Sequence, residues 1–166
     1  MSWCFLNRRV HIFIVFTLMW SAAFAHADMF RQAKALQREG RYDEAIEIFK
    51  DCLAQPVKGS ELTGQQMFVC TEALVQLMNS YQSKGEPERC IATLREVFRT
   101  SSVLHKYCQR DYYSVLGYAL SRTENMKEAE ETMLKAFTIP LHNATPERYF
   151  RDYAYAAAVF YSNPNY

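Results

Sequence analysis

The stretch YSVLGYALSRTENMKEAEETMLKAFTIP, residues 113–140, indicates the fold most clearly. Its apolar residues recur at intervals of three and four, which predicts two helices separated by a turn at 123–125. Small residues stand at Gly117 and Ala129, one in each predicted helix, where they let two antiparallel helices approach closely. The stretch therefore predicts a tightly packed helix pair.

The same unit occurs twice earlier in the chain. Gly40 ends a short helix in the first copy, and Gly85 ends the first helix of the second copy. Apolar residues at helical spacing follow each glycine, and no stretch alternates in the manner of a strand, so we expect an all-α fold. The residues at the places of Gly117 and Ala129 are Ala33 and Ala45 in the first copy, and Met78 and Cys90 in the second.

These copies resemble the tetratricopeptide repeat, whose consensus reads W-x2-L-G-x2-Y…A-x3-F…P. Leu116-Gly117 and Ala129 stand at the matching intervals in the third copy, as does Ala45-x3-Phe49 in the first. The resemblance implies an all-α, right-handed solenoid of about three helix pairs with a concave binding side. Its implied boundaries are repeats at about 28–57, 71–104 and 110–143, and a terminal helix at 144–166 that also fits half of a fourth repeat.

The copies are spaced more widely than the usual period of 34 residues. Ala45 and Cys90 are 45 positions apart, and Cys90 and Ala129 are 39 apart. The extra residues fall around 57–68 and around 100–108. We predict longer loops between the repeats at both places.

Residues 1–27 have the features of a cleaved signal peptide. Arg8 and Arg9 precede an uncharged, largely apolar run, and Ala25-His26-Ala27 gives a small-x-small cleavage pattern. We therefore predict an exported chain of the bacterial type, periplasmic or extracellular, or membrane-anchored if the signal stays uncleaved. Without the two leader arginines, 17 basic and 18 acidic residues remain, a net charge of −1 that gives no support to nucleic-acid binding. No later stretch predicts a stable membrane span.

Four cysteines follow the leader, namely Cys52, Cys70, Cys90 and Cys108. They form no CxxC pair and only two histidines accompany them, so we expect neither a metal site nor a cofactor. Cys52 ends one predicted helix and Cys70 begins the neighbouring one, which makes a Cys52–Cys70 disulfide one alternative. The others are a Cys70–Cys108 pair and unpaired thiols in the core.

The resemblance also implies which residues face the concave side, since the first helix of each pair lines it. Their mixture of basic, amide and aromatic groups suits a protein or peptide partner. The implied partner-binding residues are Phe30, Lys34, Arg38, Val75, Asn79, Gln82, Tyr118 and Arg122.

The predicted terminal helix begins with Thr145 as its N-cap and Pro146 at its first position. Residues 153–161 contain no charge, and such a helix requires cover on more than one side. Three alternatives follow: the chain is a piece of a longer repeat protein, it self-associates, or it docks a partner there. The residues that carry this second candidate surface are Tyr153, Phe160 and Tyr161.

The sequence contains no catalytic signature such as a Gly-rich phosphate loop, GxSxG or HExxH. We therefore predict no enzyme activity. The predicted function is a non-catalytic protein- or peptide-binding scaffold or adaptor of the cell envelope. Its rival is a ligand-sensing extracytoplasmic input region of a larger membrane sensor protein.

Overall fold

A computed structural model describes residues 26–54, 64–140 and 145–161 of the chain. The regular structure in these ranges is helical throughout, which confirms the predicted all-α helical-repeat solenoid. The helices are α1 (26–38 in the described residues), α2 (Tyr42–Ala54), α3 (Gly64–Lys84), α4 (Pro87–Thr100), α5 (Ser102–Tyr107), α6 (Gln109–Leu120), α7 (Met126–Thr138) and α8 (Pro146–Tyr161).

Glycine ends the first helix of the first two pairs, as the sequence predicts. Gly40 and Gly85 have φ angles of 77° and 70°, in the left-handed region where a side chain is unfavourable. After Gly40 the amide of Arg41 donates to the carbonyl of Leu36 at 2.9 Å, and an equivalent bond of 3.0 Å closes the turn after Gly85. These bonds satisfy carbonyls that the helix leaves open and reverse the chain toward the second helix of the pair.

Gly117 sets the close approach of α6 and α7. A Cβ atom at this position would lie 3.2 Å from the backbone oxygen of Ala129 and 3.2 Å from the backbone nitrogen of Met133. Any side chain would therefore have to displace backbone atoms of α7. Accordingly, α6 and α7 share the most extensive contact between any two helices from α2 onward.

The pair formed by α3 and α4 packs differently. Met78 fills the place that Gly117 has in the third copy, and it is fully buried. Helix α3 contacts α2 more extensively than it contacts its pair partner α4. The hydroxyl groups of Tyr81 and Thr93 are hydrogen-bonded at 2.8 Å across the α3–α4 pair. A large side chain in the small-residue position thus accompanies a less extensive contact within the pair.

Both stretches expected to be loops contain helix, which corrects the prediction. Helix α3 begins at Gly64, so residues 64–68 of the stretch 57–68 are helical, and residues 55–63 lie outside the described ranges. The stretch 100–108 contains α5. Apolar residues within the insertions are the reason, because a helix buries them without leaving backbone groups unpaired.

Ser101 explains how α5 is attached. Its hydroxyl donates to the carbonyl of Leu53 at the end of α2 over 2.7 Å, and the same oxygen accepts the amide of Leu104 at 3.4 Å as the N-cap of α5. Val103 and Leu104 are buried below it. The inserted stretch 100–108 therefore adds buried residues to the core and does not project from it as a loop.

The start of α8 confirms the predicted cap. The amide of Arg148 donates to the hydroxyl oxygen of Thr145 at 3.4 Å, and Pro146 is the first helical residue. The predicted leader, by contrast, lies outside the described residues except for His26 and Ala27, which belong to α1. Within the described residues, no helix combines the length and the apolar character that crossing a bilayer requires.

Candidate functional site

Buried ion pairs hold α8 against the rest of the array. The side chain of Asp111 in α6 is 1% exposed and accepts hydrogen bonds from Arg148 and Arg151 of α8, with 3.1 Å between Asp111 Oδ1 and Arg151 Nη2. Arg151 also reaches α3, where its Nη1 lies 2.9 Å from Glu72 Oε1. These two arginines therefore tie α8 to α6 and to α3 at once.

A second buried pair and an aromatic stack fix the rest of α8. Arg110 Nε lies 2.8 Å from Asp152 Oδ2, and Arg110 Nη1 donates to the carbonyl of Ile139, after the end of α7, at 3.2 Å. Further along, the rings of Tyr118 and Tyr155 stack with their centroids 4.5 Å apart. Because an unpaired buried charge is strongly destabilising, the pairs define how α8 sits on α6.

A cleft of about 680 Å³ opens between the first half of α3 and the first half of α8. Helix α3 supplies an apolar wall, in which Met67 is buried and Phe68 is 61% exposed. Helix α8 supplies a charged wall that includes Glu147, Arg148 and Arg151. The buried ion pairs therefore set the width of this cleft, since they position one of its two walls.

The charged groups of the cleft already have partners within the chain. Arg148 pairs with Asp111, and Arg151 pairs with both Asp111 and Glu72. The pKa of Glu147 is held below its usual value by a hydrogen bond from its own backbone amide and then by one from Thr145. A ligand that contributes one more charge therefore gains little, whereas an apolar group gains contact with the exposed Phe68 ring.

The eight residues implied for the concave side are in three different situations. Phe30 and Val75 are buried, which corrects their assignment to a binding face. Their side chains belong to the hydrophobic core, where the centroid of the Phe30 ring lies 5.9 Å from that of the Phe49 ring. Tyr118 is covered by Tyr155 of α8. The others are partly or fully exposed and their role in binding stays a prediction: Lys34, Arg38, Asn79, Gln82 and Arg122.

The residues chosen on the terminal helix also need one correction. Tyr153 and Tyr161 are 64% and 90% exposed, but Phe160 is partly buried and packs against the core. The reason is helical geometry, since Phe160 follows the fully buried Val159 by about 100° around the helix. Phe150, which is 77% exposed, lies on the exposed face instead.

The four cysteines are buried free thiols, so the Cys52–Cys70 disulfide is not formed in this structure. Burial raises the pKa of Cys52 to about 11 and the pKa values of Cys70, Cys90 and Cys108 to about 12. The thiols of Cys108 and Cys52 lie near enough to Cys70 to contribute to its raised pKa. Thiols with such pKa values are poorly reactive at neutral pH, so they serve here as core residues. The described residues contain no group of three or more His, Cys, Asp and Glu side chains that could hold a metal ion.

Sequence reasoning missed the residues that build the cleft. Phe68 falls in a stretch expected to be a loop, so no helix face was assigned to it. Asp111 pairs with arginines 37 and 40 positions away, and the spacing of a helical repeat carries no information about such pairs. The available signal was local: Arg148 and Arg151 lie one turn apart, on the same helix face, just before an uncharged aromatic run.

Two family models, both described as tetratricopeptide repeat, match the chain at residues 29–61 and 111–143. The matches support a tetratricopeptide-repeat family. The matched segments cover most of the first and third helix pairs, whereas α3 and α4, with Met78 in the small-residue position, lie between them. None of the curated proteins compared with the chain is significantly similar to it. Tetratricopeptide repeats are generally non-catalytic, and they indicate a scaffold with protein partners.

Proposed function

We propose that this chain is an exported, non-catalytic scaffold or adaptor of the cell envelope that binds a protein or peptide segment in the α3–α8 cleft. The observation that carries the proposal is the cleft itself, in which Phe68 is 61% exposed beside a wall of fixed charges. Large aromatic groups that remain exposed in a concave site are typical anchors of protein interfaces. The signal-like segment 1–27 supports the exported location.

The chemistry of the two walls favours a partner segment with one apolar anchor. Met67 and Phe68 offer apolar surface on α3, and Thr71 stands one turn further along the same helix. On α8 the guanidinium groups are held in place by Asp111 and Glu72, so they form a rigid polar rim. An apolar side chain of the partner would pack against Phe68, and backbone carbonyl groups of the partner would face the guanidinium groups of the rim.

The test uses a phage-displayed random peptide library selected on the immobilised full chain. Selected peptides are then titrated against the wild type, Phe68→Ser and Leu134→Ser. Leu134 is a matched control because it is 56% exposed and does not line the cleft. We expect Phe68→Ser to weaken binding at least about tenfold, as loss of an anchor residue does, and Leu134→Ser to leave it unchanged. Equal affinity for all three proteins would contradict the proposal.

The exported location has its own test. Mass spectrometry of the protein recovered from its host is expected to give a chain that begins at Asp28, in the periplasmic or extracellular fraction. A retained Met1 in a membrane fraction indicates an anchored form. Recovery of the complete chain from the cytoplasm contradicts export.

A rival proposal is a ligand-sensing input region of a larger membrane sensor. The volume of the cleft favours it, since about 680 Å³ lies within the range of small-molecule sites. The two proposals differ in their ligand. Under the rival, thermal-shift screening of the full chain with a metabolite library yields a stabilising compound that Phe68→Ser abolishes, and the peptide library yields no binder.

A further inference from the structure

The charged and the uncharged residues of α8 lie on different sides of the helix. Its charged residues Arg148, Arg151 and Asp152 face inward, where Asp111, Glu72 and Arg110 pair with them. From Tyr149 onward its exposed residues carry no charge. An exposed face that carries several aromatic rings and no charge is typical of an interaction site.

Five of the exposed residues form one stripe along α8. Phe150, Tyr153, Ala154, Ala157 and Tyr161 follow one another at steps of three, one, three and four residues, which places them on the same side of the helix. Phe150, Tyr153 and Tyr161 are 77%, 64% and 90% exposed. Aromatic rings stand at both ends of the stripe and alanines stand in its middle.

This order makes the stripe complementary to itself. When two copies of α8 cross antiparallel about the point midway between Ala154 and Ala157, each Ala154 faces an Ala157, and each Phe150 faces a Tyr161. Small residues at the centre let the two helices approach closely, and the rings at the ends fill the space beside them. A two-fold axis requires this kind of self-complementary patch.

The area of the stripe is sufficient for such a pair. At 150–250 Å² for each aromatic side chain, the exposed parts of the aromatic residues and alanines of the face amount to about 600 Å² in each copy, or about 1,200 Å² in the pair. That value is the area buried when the contact covers the whole stripe, and it corresponds to the lower end of the range of specific protein interfaces. We therefore propose that the outer face of α8 binds a second copy of this chain through an antiparallel α8–α8 contact.

The pair would present two identical clefts, because α8 carries a cleft wall on its inner side and the contact face on its outer side. A partner with two binding segments would then bind more tightly than one segment alone. This bivalent use rests on the proposed function of the cleft, whereas the α8–α8 contact does not depend on it.

The experiment measures mass and register with the full chain. Sedimentation at about 100 µM, which populates complexes with micromolar Kd values, is expected to give the mass of two copies. Ala157→Arg is expected to raise the dissociation constant at least about tenfold, because it places a charge in the centre of the contact. Ala92→Arg, at an exposed alanine of α4, is the matched control and is expected to dimerise like the wild type. Circular dichroism of both variants checks that they fold equally.

The register is tested by disulfide capture. A mixture of Ala154→Cys and Ala157→Cys chains is expected to form the mixed disulfide faster than Ala92→Cys chains form any, since the native thiols are buried. A single-copy mass throughout, or unchanged association of Ala157→Arg, overturns the proposal; a host protein bound to the single copy would then be the occupant. Phe68→Ser separates the two surfaces, because it is expected to abolish peptide binding and to leave the mass of the pair unchanged.

Discussion

Helix α6 is packed on its two sides by different interactions. On one side, α7 lies against Gly117 so closely that a Cβ atom would be 3.2 Å from the backbone of Ala129. On the other side, α8 is joined to it by the buried pairs of Asp111 with Arg148 and of Arg110 with Asp152. The α6–α7 contact depends on the absence of a side chain at Gly117. The α6–α8 contact depends on ion pairs between residues that are far apart in the sequence.

The two contacts also differ in what they do for function. The α6–α7 contact belongs to the repeat itself, and the family match at 111–143 covers it. The α6–α8 contact joins a helix of the matched segment to α8, which follows that segment in the sequence. It positions one wall of the cleft. The repeat therefore supplies a rigid platform, and the ion pairs supply the feature that we propose to bind a partner.

The largest expected effect is a loss of folding stability at alkaline pH. It tests the apolar core, which contains the buried thiols, separately from the ion pairs of α8. An unfolded thiol loses its proton near pH 9, while burial raises the pKa of the folded thiols to about 11 or 12. Between these values unfolding releases protons, so the free energy of unfolding falls as pH rises, by about 1.4 kcal/mol per pH unit for each thiol. Below pH 9 the thiols contribute no pH dependence.

Urea denaturation between pH 8 and pH 11 in reducing buffer measures this loss, to which Tyr112 and Tyr155 add above pH 10 because burial raises their pKa values to about 12. The Asp111→Ala variant is expected to keep the alkaline loss that comes from Cys52, Cys70 and Cys90, and to narrow the pH range over which Cys108 contributes, because Asp111 helps to raise the pKa of Cys108. A stability that stays constant up to pH 11 would contradict the account of buried thiols.

The next effect is the loss of one ion-pair partner. Asp111→Ala leaves Arg148 and Arg151 without their shared carboxylate, and breaking a buried pair in this way costs about 3–5 kcal/mol. Urea denaturation measures the change, and hydrogen exchange is expected to show faster exchange in α8 than in α7. Asp51→Ala removes an exposed carboxylate and is expected to change stability by less than about 0.5 kcal/mol. A similar small loss for both variants would mean that the pairs do not hold α8.

The smallest effect tests the close contact of α6 and α7. Gly117→Leu forces the backbone of α7 away and is expected to cost about 1–3 kcal/mol. Gly64→Leu is the matched control, since a Cβ atom at Gly64 meets nothing within 4 Å. We expect it to change stability by less than about 0.5 kcal/mol. Thermal unfolding of both variants decides, and an unaffected Gly117→Leu would show that the two helices have room to separate.

The sequence predicted the contacts that follow from local spacing. Gly40 and Gly85 end helices, Thr145 caps α8, and Gly117 lies at the close approach, because a glycine or a cap acts on its immediate neighbours along the chain. The same reasoning identified the uncharged run at the end of α8.

The remaining features depend on which distant residues meet. Phe30 and Val75 are buried although they stand at positions of the concave side, and Phe160 turns toward the core. The start of α3 at Gly64 and the helix α5 could not be derived from a repeat consensus, since both lie in segments where this chain departs from the period of the family. Consequently, the cleft between α3 and α8 was not predicted.

A binding measurement shows whether the cleft needs the ion pairs that hold α8 in place. A peptide selected on the wild-type chain is titrated by calorimetry into the wild type, Asp111→Ala and Arg99→Ala, where Arg99 is exposed and does not line the cleft. We predict that Asp111→Ala weakens binding at least about tenfold, which corresponds to about 1.4 kcal/mol, because α8 loses its position as a wall. Arg99→Ala is expected to bind like the wild type. Unchanged affinity of Asp111→Ala, with α8 shown by hydrogen exchange to be released, would contradict the claim that the cleft between α3 and α8 is the binding site.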